Sequence, residues 1–98
     1  MTAADTQLSF EWDDAKARSK LAKHAVPFEV AARVFLDPWI VEFDDSKSQD
    51  REVRWKAVGR VEGRLFTVFF TRRAGNIRMI SARRSSHIEA RHYDPLST

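Results

Sequence analysis

Apolar and polar positions alternate most regularly between Asn76 and Ser86. Ile77, Met79 and Ser81 fall on one side of the period; Arg78, Ile80 and Ala82 fall on the other. That period predicts a β-strand. The strand ends in Arg83 and Arg84, and Ser85, Ser86 and a helical pattern over residues 87–93 follow, stopped by Pro95. Upstream, Leu65-Phe-Thr-Val-Phe-Phe70 is nearly continuous in apolar residues, so a strand over residues 64–72 should be central and covered on both faces. Glu62-Gly63 reads as a two-residue hairpin turn from a strand over residues 54–61. Residues 73–76 read as a second tight turn. Residues 39–44 read as a further strand with Trp39, Val41 and Phe43 on one face, and residues 45–50 as a polar loop.

The N-terminal half is helical in period. Residues 1–7 are small and polar, a frayed terminus. Residues 8–12 alternate as a short edge strand would. Asp13 or Asp14 can cap a helix over residues 15–24, whose thin apolar stripe (Ala15, Leu21, Ala22) places it on the surface. Pro27 breaks it and starts a second helix, with Phe28, Ala31, Ala32 and Phe35 at helical spacing and Asp37-Pro38 as its end. The expected fold is α+β: two N-terminal helices on one face of a four-stranded antiparallel sheet, then a short C-terminal helix. The 98 residues are expected to form a single domain.

Charge sharpens this picture by its distribution. The net charge is +3 and the pI about 9.7. Arg72, Arg73, Arg78, Arg83, Arg84 and Arg91 crowd residues 72–92 against one acid, Glu89, whereas residues 37–52 are mostly acidic. The basic half suits an anionic partner such as nucleic acid. Cysteine is absent, which excludes disulfides and thiolate metal sites. No apolar run has the length of a membrane span and no signal-peptide pattern opens the chain, so a cytoplasmic location is expected.

Candidate chemistry follows from the basic positions. Arg83 and Arg84, at a strand end beside a helix start, suit phosphate. Arg72 lies at the far end of the neighbouring strand, so a site using all three arginines spans about 20–25 Å along the sheet, the reach of an RNA strand. Glu52 reads as a general base or as the ion-pair partner of Arg54; Arg54 and Lys56 share its face. Lys23 and His24 complement a helix dipole, and His24 alternatively moves protons. Tyr93 is a core plug, or a phenol that stacks on a base or moves a proton. Trp12, Trp39 and Trp55 are read as packing residues. His87 and His92 lie five apart, which is not helical ligand spacing, so no metal is expected. No nucleotide-binding, nucleophile-elbow or zinc motif occurs.

Together these residues resemble a known family. Phe10-Glu-Trp-Asp13, Lys23-His24, Phe28-Glu-Val-Ala-Ala-Arg-Val-Phe35 and Asp37-Pro38 look like the N-terminal half of BrnT toxins. Arg51-Glu-Val-Arg-Trp55, Gly59, and Ile77-Arg-Met-Ile-Ser-Ala-Arg-Arg84 with Glu89, Arg91 and Tyr93 look like the C-terminal half. The resemblance covers about residues 8–94 and departs at Ala25, where the family usually has glycine. It implies a type II toxin of RelE-like fold that cleaves RNA without metal or cofactor and halts translation. It also implies neutralisation by a BrnA-like antitoxin, which alone contacts operator DNA. By position the family's basic and tyrosine pattern carries to Arg72, Arg83, Arg84 and Tyr93, and then to Glu52 and Arg54. Tyr93, His24 or Glu52 would move protons, and Lys23, Arg54, Arg78 and Arg91 would hold the RNA backbone. The competing readings are a basic nucleic-acid-binding module without chemistry and a protein-interaction subunit.

Overall fold

The computed structural model describes residues 9–93. The expected frayed terminus at 1–7, the start of the first strand at Leu8 and the helix stop at Pro95 lie outside them. In chain order the elements are β1 (Ser9–Glu11), α1 (Asp14–His24), α2 (Phe28–Ala32) running into a 3-10 helix (Arg33–Leu36), β2 (Val41–Asp44), β3 (Trp55–Val61), β4 (Arg64–Arg73), β5 (Asn76–Arg84) and α3 (His87–Tyr93). The fold is α+β, and the sheet has five strands in the order β1-β5-β4-β3-β2 rather than the four expected. The added edge, β1, runs parallel to β5, with Phe10 opposite Ile77. It is the short edge strand that alternation over residues 8–12 suggested and that the count of four strands left out of the sheet.

Both expected hairpins form. Glu62 and Gly63 have φ of 51° and 80°, and Ala74 and Gly75 have 49° and 83°, the paired positive values of two-residue hairpin turns. β2 begins at Val41, not Trp39. Asp37 Oδ1 accepts the Trp39 N–H at 2.9 Å and turns the chain, so the Trp39 ring is 68 % exposed. Packing thus does not explain Trp39 as it does Trp12, whose ring meets Phe28 edge-on at 5.8 Å.

α1, α2 and the 3-10 helix cover one face. Phe28, Ala31 and Val34 bury against Ala57 and Val61 of β3, Phe66, Val68 and Phe70 of β4, and Ile77, Met79 and Ala82 of β5. Contact there is close: a Cβ on Gly59 would stand 2.6 Å from Val34 Cγ1. Glycine therefore lets the 3-10 helix lie directly on β3.

α1 is capped as its sequence suggests. Asp13 accepts the Lys16 N–H at 3.0 Å, and Lys23 and His24 occupy the last turn. Ala25 closes the helix at φ 60°, ψ 27°, its N–H bonded to Leu21 O. That left-handed conformation crowds an alanine Cβ and costs glycine nothing. Ala25→Gly is therefore expected to stabilise the fold by about 0.5–1 kcal/mol, read as a rise of a few degrees in Tm. An unchanged or lower Tm would contradict this account of the cap.

Candidate functional site

The second face of the sheet gathers a cluster of cationic and aromatic side chains, and a β-bulge decides which residues reach it. Strict alternation along β5 would aim Arg83 to the same side as Ile77 and Met79, under the helices. The pairing shifts instead: Phe70 stands opposite Met79 but Phe69 opposite Ser81, leaving Ile80 as an extra residue. Beyond the bulge the faces exchange. Ala82, opposite Val68, joins the core, while Ser81 and Arg83 join the second face. This corrects the expected grouping of Ser81 with Ile77 and Met79, and of Ala82 with Arg78.

On that face the half-buried Phe69 ring is flanked by two guanidinium groups. Arg54 Cζ lies 4.9 Å and Arg83 Cζ 5.4 Å from the ring centroid. Lys56 Nζ lies 5.9 Å from the neighbouring Phe43 ring. The ring quadrupoles favour these cations and hold them near the surface. Arg54 Nε is buried without a hydrogen-bond partner, although Asp45 Oδ2 is 3.5 Å away. Buried donors are rarely left so, and the Asp45 carboxylate is the acceptor nearest to it.

Glu89 of α3 anchors the group. Its carboxylate accepts from Arg83 Nη1 and Nη2 at 2.7 Å each, from the Ser86 N–H at 2.7 Å and from Thr67 Oγ1 at 2.9 Å. Lys56 Nζ is 3.5 Å away. Ser86 Oγ in return accepts the Glu89 N–H at 3.2 Å, completing a reciprocal capping box from the sequence Ser86-His-Ile-Glu89. Burial pushes the Glu89 carboxyl pKa up, but the hydrogen bonds from Arg83, Ser86 and Thr67 outweigh it and bring it to about 2. The same bond to Glu89 raises the Arg83 pKa. Arg83 is thus a fixed cation, held by a carboxylate that stays ionised.

The other expected site residues lie elsewhere. Arg72 pairs with Ile77 and so faces the helices. It lies over Trp55 and Phe70 at 5.3 and 5.1 Å and binds Glu42 at 2.7 Å. Arg84 stands opposite the core residue Phe66, so the pleat turns it away from Arg83; the two do not converge through the strand. Glu52 pairs with Arg73, not Arg54, through bonds of 2.7–3.2 Å at the β4–β5 turn. Arg78 binds Glu11 at 2.9 Å near the same end. Lys23 and His24 end α1, which packs against β5 on the helix face. Arg91 is exposed on α3. Tyr93 is 5 % exposed and its hydroxyl donates to Asp37 Oδ2 at 2.5 Å, with Arg60 Cζ 5.4 Å from its ring. Burial and the Asp37 bond raise the Tyr93 pKa, so the phenol is a fixed tie between α3 and the 3-10 segment.

Sequence reasoning thus placed Arg54 and Arg83 in the set and missed Lys56, Phe69 and Glu89. Lys56 was visible through its alternation with Arg54. Glu89 was visible through the Ser-x-x-Glu capping pattern. Phe69 was hidden inside an apolar run.

Residues 12–89 match the family model for the ribonuclease toxin BrnT of type II toxin–antitoxin systems. The chain belongs to the BrnT family. The match takes in Arg54, Lys56, Phe69, Arg83 and Glu89, and ends before Arg91, His92 and Tyr93. A search of curated proteins finds no match. The family is one of ribonuclease toxins, so an RNA substrate and an antitoxin partner go with membership. Among the described residues, no helix is long and apolar enough to cross a membrane.

Proposed function

We propose that this BrnT family member is a metal-independent endoribonuclease acting as one cytoplasmic domain, that the Phe69 platform is its active site, and that a BrnA-like antitoxin neutralises it. The observation behind this reading is the convergence of Arg54, Lys56 and Arg83 about Phe69 and Phe43, with Arg83 fixed by Glu89. RNA brings its own nucleophile. The 2′-oxygen bonds to phosphorus, the bond to the 5′-oxygen breaks, and a 2′,3′-cyclic phosphate and a 5′-hydroxyl result. The protein has to position the strand and offset the charge that builds on the phosphorane oxygens. Arg83 and Lys56 offset that charge. The Arg54 guanidinium adds a third positive charge beside the Phe69 ring. Phe69 gives a base a π-face to stack on. Arg54, Lys56 and Arg83 supply that positive charge from the protein itself. Cutting RNA in the cell halts translation, and the partner that prevents it must cover or distort this face.

The compact platform also removes a difficulty of scale. Arg72 faces the other side of the sheet, so no site need span its length. An RNA carrying a single 2′-deoxynucleotide at the cleaved position is expected to bind with parental affinity and remain uncut. Cleavage of that RNA at the parental rate would contradict attack by the 2′-oxygen.

A further inference from the structure

The platform supplies positive charge, but the groups expected to move protons are not on it. Tyr93 is tied to Asp37, Glu52 to Arg73, and His24 ends a helix on the opposite face. Glu89 is on the platform, but with a pKa of about 2 and four donors on its oxygens it is a poor base at neutral pH. One imidazole does border the site. The His92 ring meets the Phe43 ring edge-on at 5.6 Å, and Lys56 Nζ lies 5.9 Å from the same Phe43 centroid. His92 follows Glu89 by three residues on α3, so the two side chains share a helix face. His92 is exposed and no side-chain bond commits its nitrogens to a partner among the described residues.

We infer that His92 is the general base of the cleavage step, taking the 2′-hydroxyl proton of a nucleotide whose phosphate lies between Lys56 and Arg83. This rests on the ribonuclease reading above and concerns a residue outside the matched family stretch. The neutral imidazole accepts the proton as the 2′-oxygen bonds to phosphorus. The bond to the 5′-oxygen breaks, and water protonates that oxygen. The imidazolium then returns its proton to solvent, and the books balance. Lys56 approaches His92 from β3, and Arg83 stands behind Glu89 from β5. From β2 the contact is the uncharged Phe43 ring, whose strand neighbours Glu42 and Asp44 alternate to the other face. Glu89 is already matched by Arg83.

The test is the single-turnover rate of the purified full chain on RNA between pH 5 and 9, with His92→Gln beside it. The parental rate is expected to rise with pH through an inflection and then level. His92→Gln is expected to lose that inflection and to run about 10²–10⁴-fold slower at the plateau, with RNA affinity and Tm unchanged. A second substrate separates base from acid: an RNA with sulfur in place of the bridging 5′-oxygen, whose leaving group needs no protonation. The His92→Gln defect should persist on it. A His92→Gln protein that keeps both rate and inflection overturns the inference while leaving the ribonuclease reading intact. So does a defect that vanishes on the sulfur substrate, which would make His92 the acid. A parental protein that cuts no RNA overturns both.

Discussion

Arg83→Ala is expected to slow RNA cleavage on the order of 10²–10³-fold at saturating RNA, the usual loss when a preorganised partner of transition-state charge is removed. Arg83 is the cation whose position is fixed most firmly: Nη1 and Nη2 are held at 2.7 Å by Glu89, and its face lies over Phe69. A guanidinium that does not reorganise during reaction is worth more than a mobile one, because its orientation is set before the substrate arrives. Arg72→Ala is expected to keep the turnover rate, since Arg72 lies over Trp55 and Phe70 on the opposite face. Arg84→Ala is expected to keep it too, because Arg84 stands opposite Phe66. Removing Arg83 also leaves Glu89 without its counter-ion, so Arg83→Lys belongs in the series. Lysine keeps the charge but not the two-pronged fit, and should give an intermediate rate with near-parental melting. Equal losses for Arg72→Ala and Arg83→Ala in folded protein would contradict the placement of the site on the second face.

Glu89→Ala is expected to produce the largest loss of stability. The carboxylate joins α3 to β4 through Thr67, to β5 through Arg83 and to its own helix start through Ser86. Breaking a buried pair by removing one partner costs about 3–5 kcal/mol; the Arg83 side chain is a third exposed, so water screens part of it and about 2–4 kcal/mol is expected. In a chain of this size that lowers Tm on the order of 10–25 °C. Glu89→Gln keeps the shape and some of the bonds and should lose less. The pH dependence has a definite sign. The carboxyl pKa is about 2 in the fold against an ordinary 4.5, so its contribution is complete above about pH 4.5 and disappears as pH falls toward 2. The parental Tm should fall through that window. The Glu89→Gln protein should lose less there, because the group that titrates is gone. Parallel acid transitions in the two proteins would remove Glu89 from the account.

How far the sequence foretold this structure depends on the signal each element carries. The hairpins were legible because Glu62-Gly63 and Ala74-Gly75 supply the conformations such turns demand. α1 was legible from Asp13 at one end and Lys23-His24 at the other. The bulge at Ile80 was not. Met79-Ile80-Ser81-Ala82 reads as a strand in either register, and only the packing of Ala82 against Val68 selects one. That single extra residue decides which of Arg83 and Arg84 shares a face with Phe69, so the ambiguity passed directly into the candidate set. Pairing across turns was also illegible: Glu52 has Arg54 two residues away in sequence, but the β4–β5 turn brings Arg73 to it.

The central claim is that this face of the protein, with its own cations, cuts RNA. The most direct test incubates purified, partner-free protein with a defined RNA in excess EDTA and identifies the ends formed. The account predicts continued cleavage, with 2′,3′-cyclic phosphate and 5′-hydroxyl termini, slowed on the order of 10²–10³-fold by Arg83→Ala in folded protein. Cleavage that stops in EDTA and returns on adding a divalent ion, or products with 5′-phosphate ends, would contradict it.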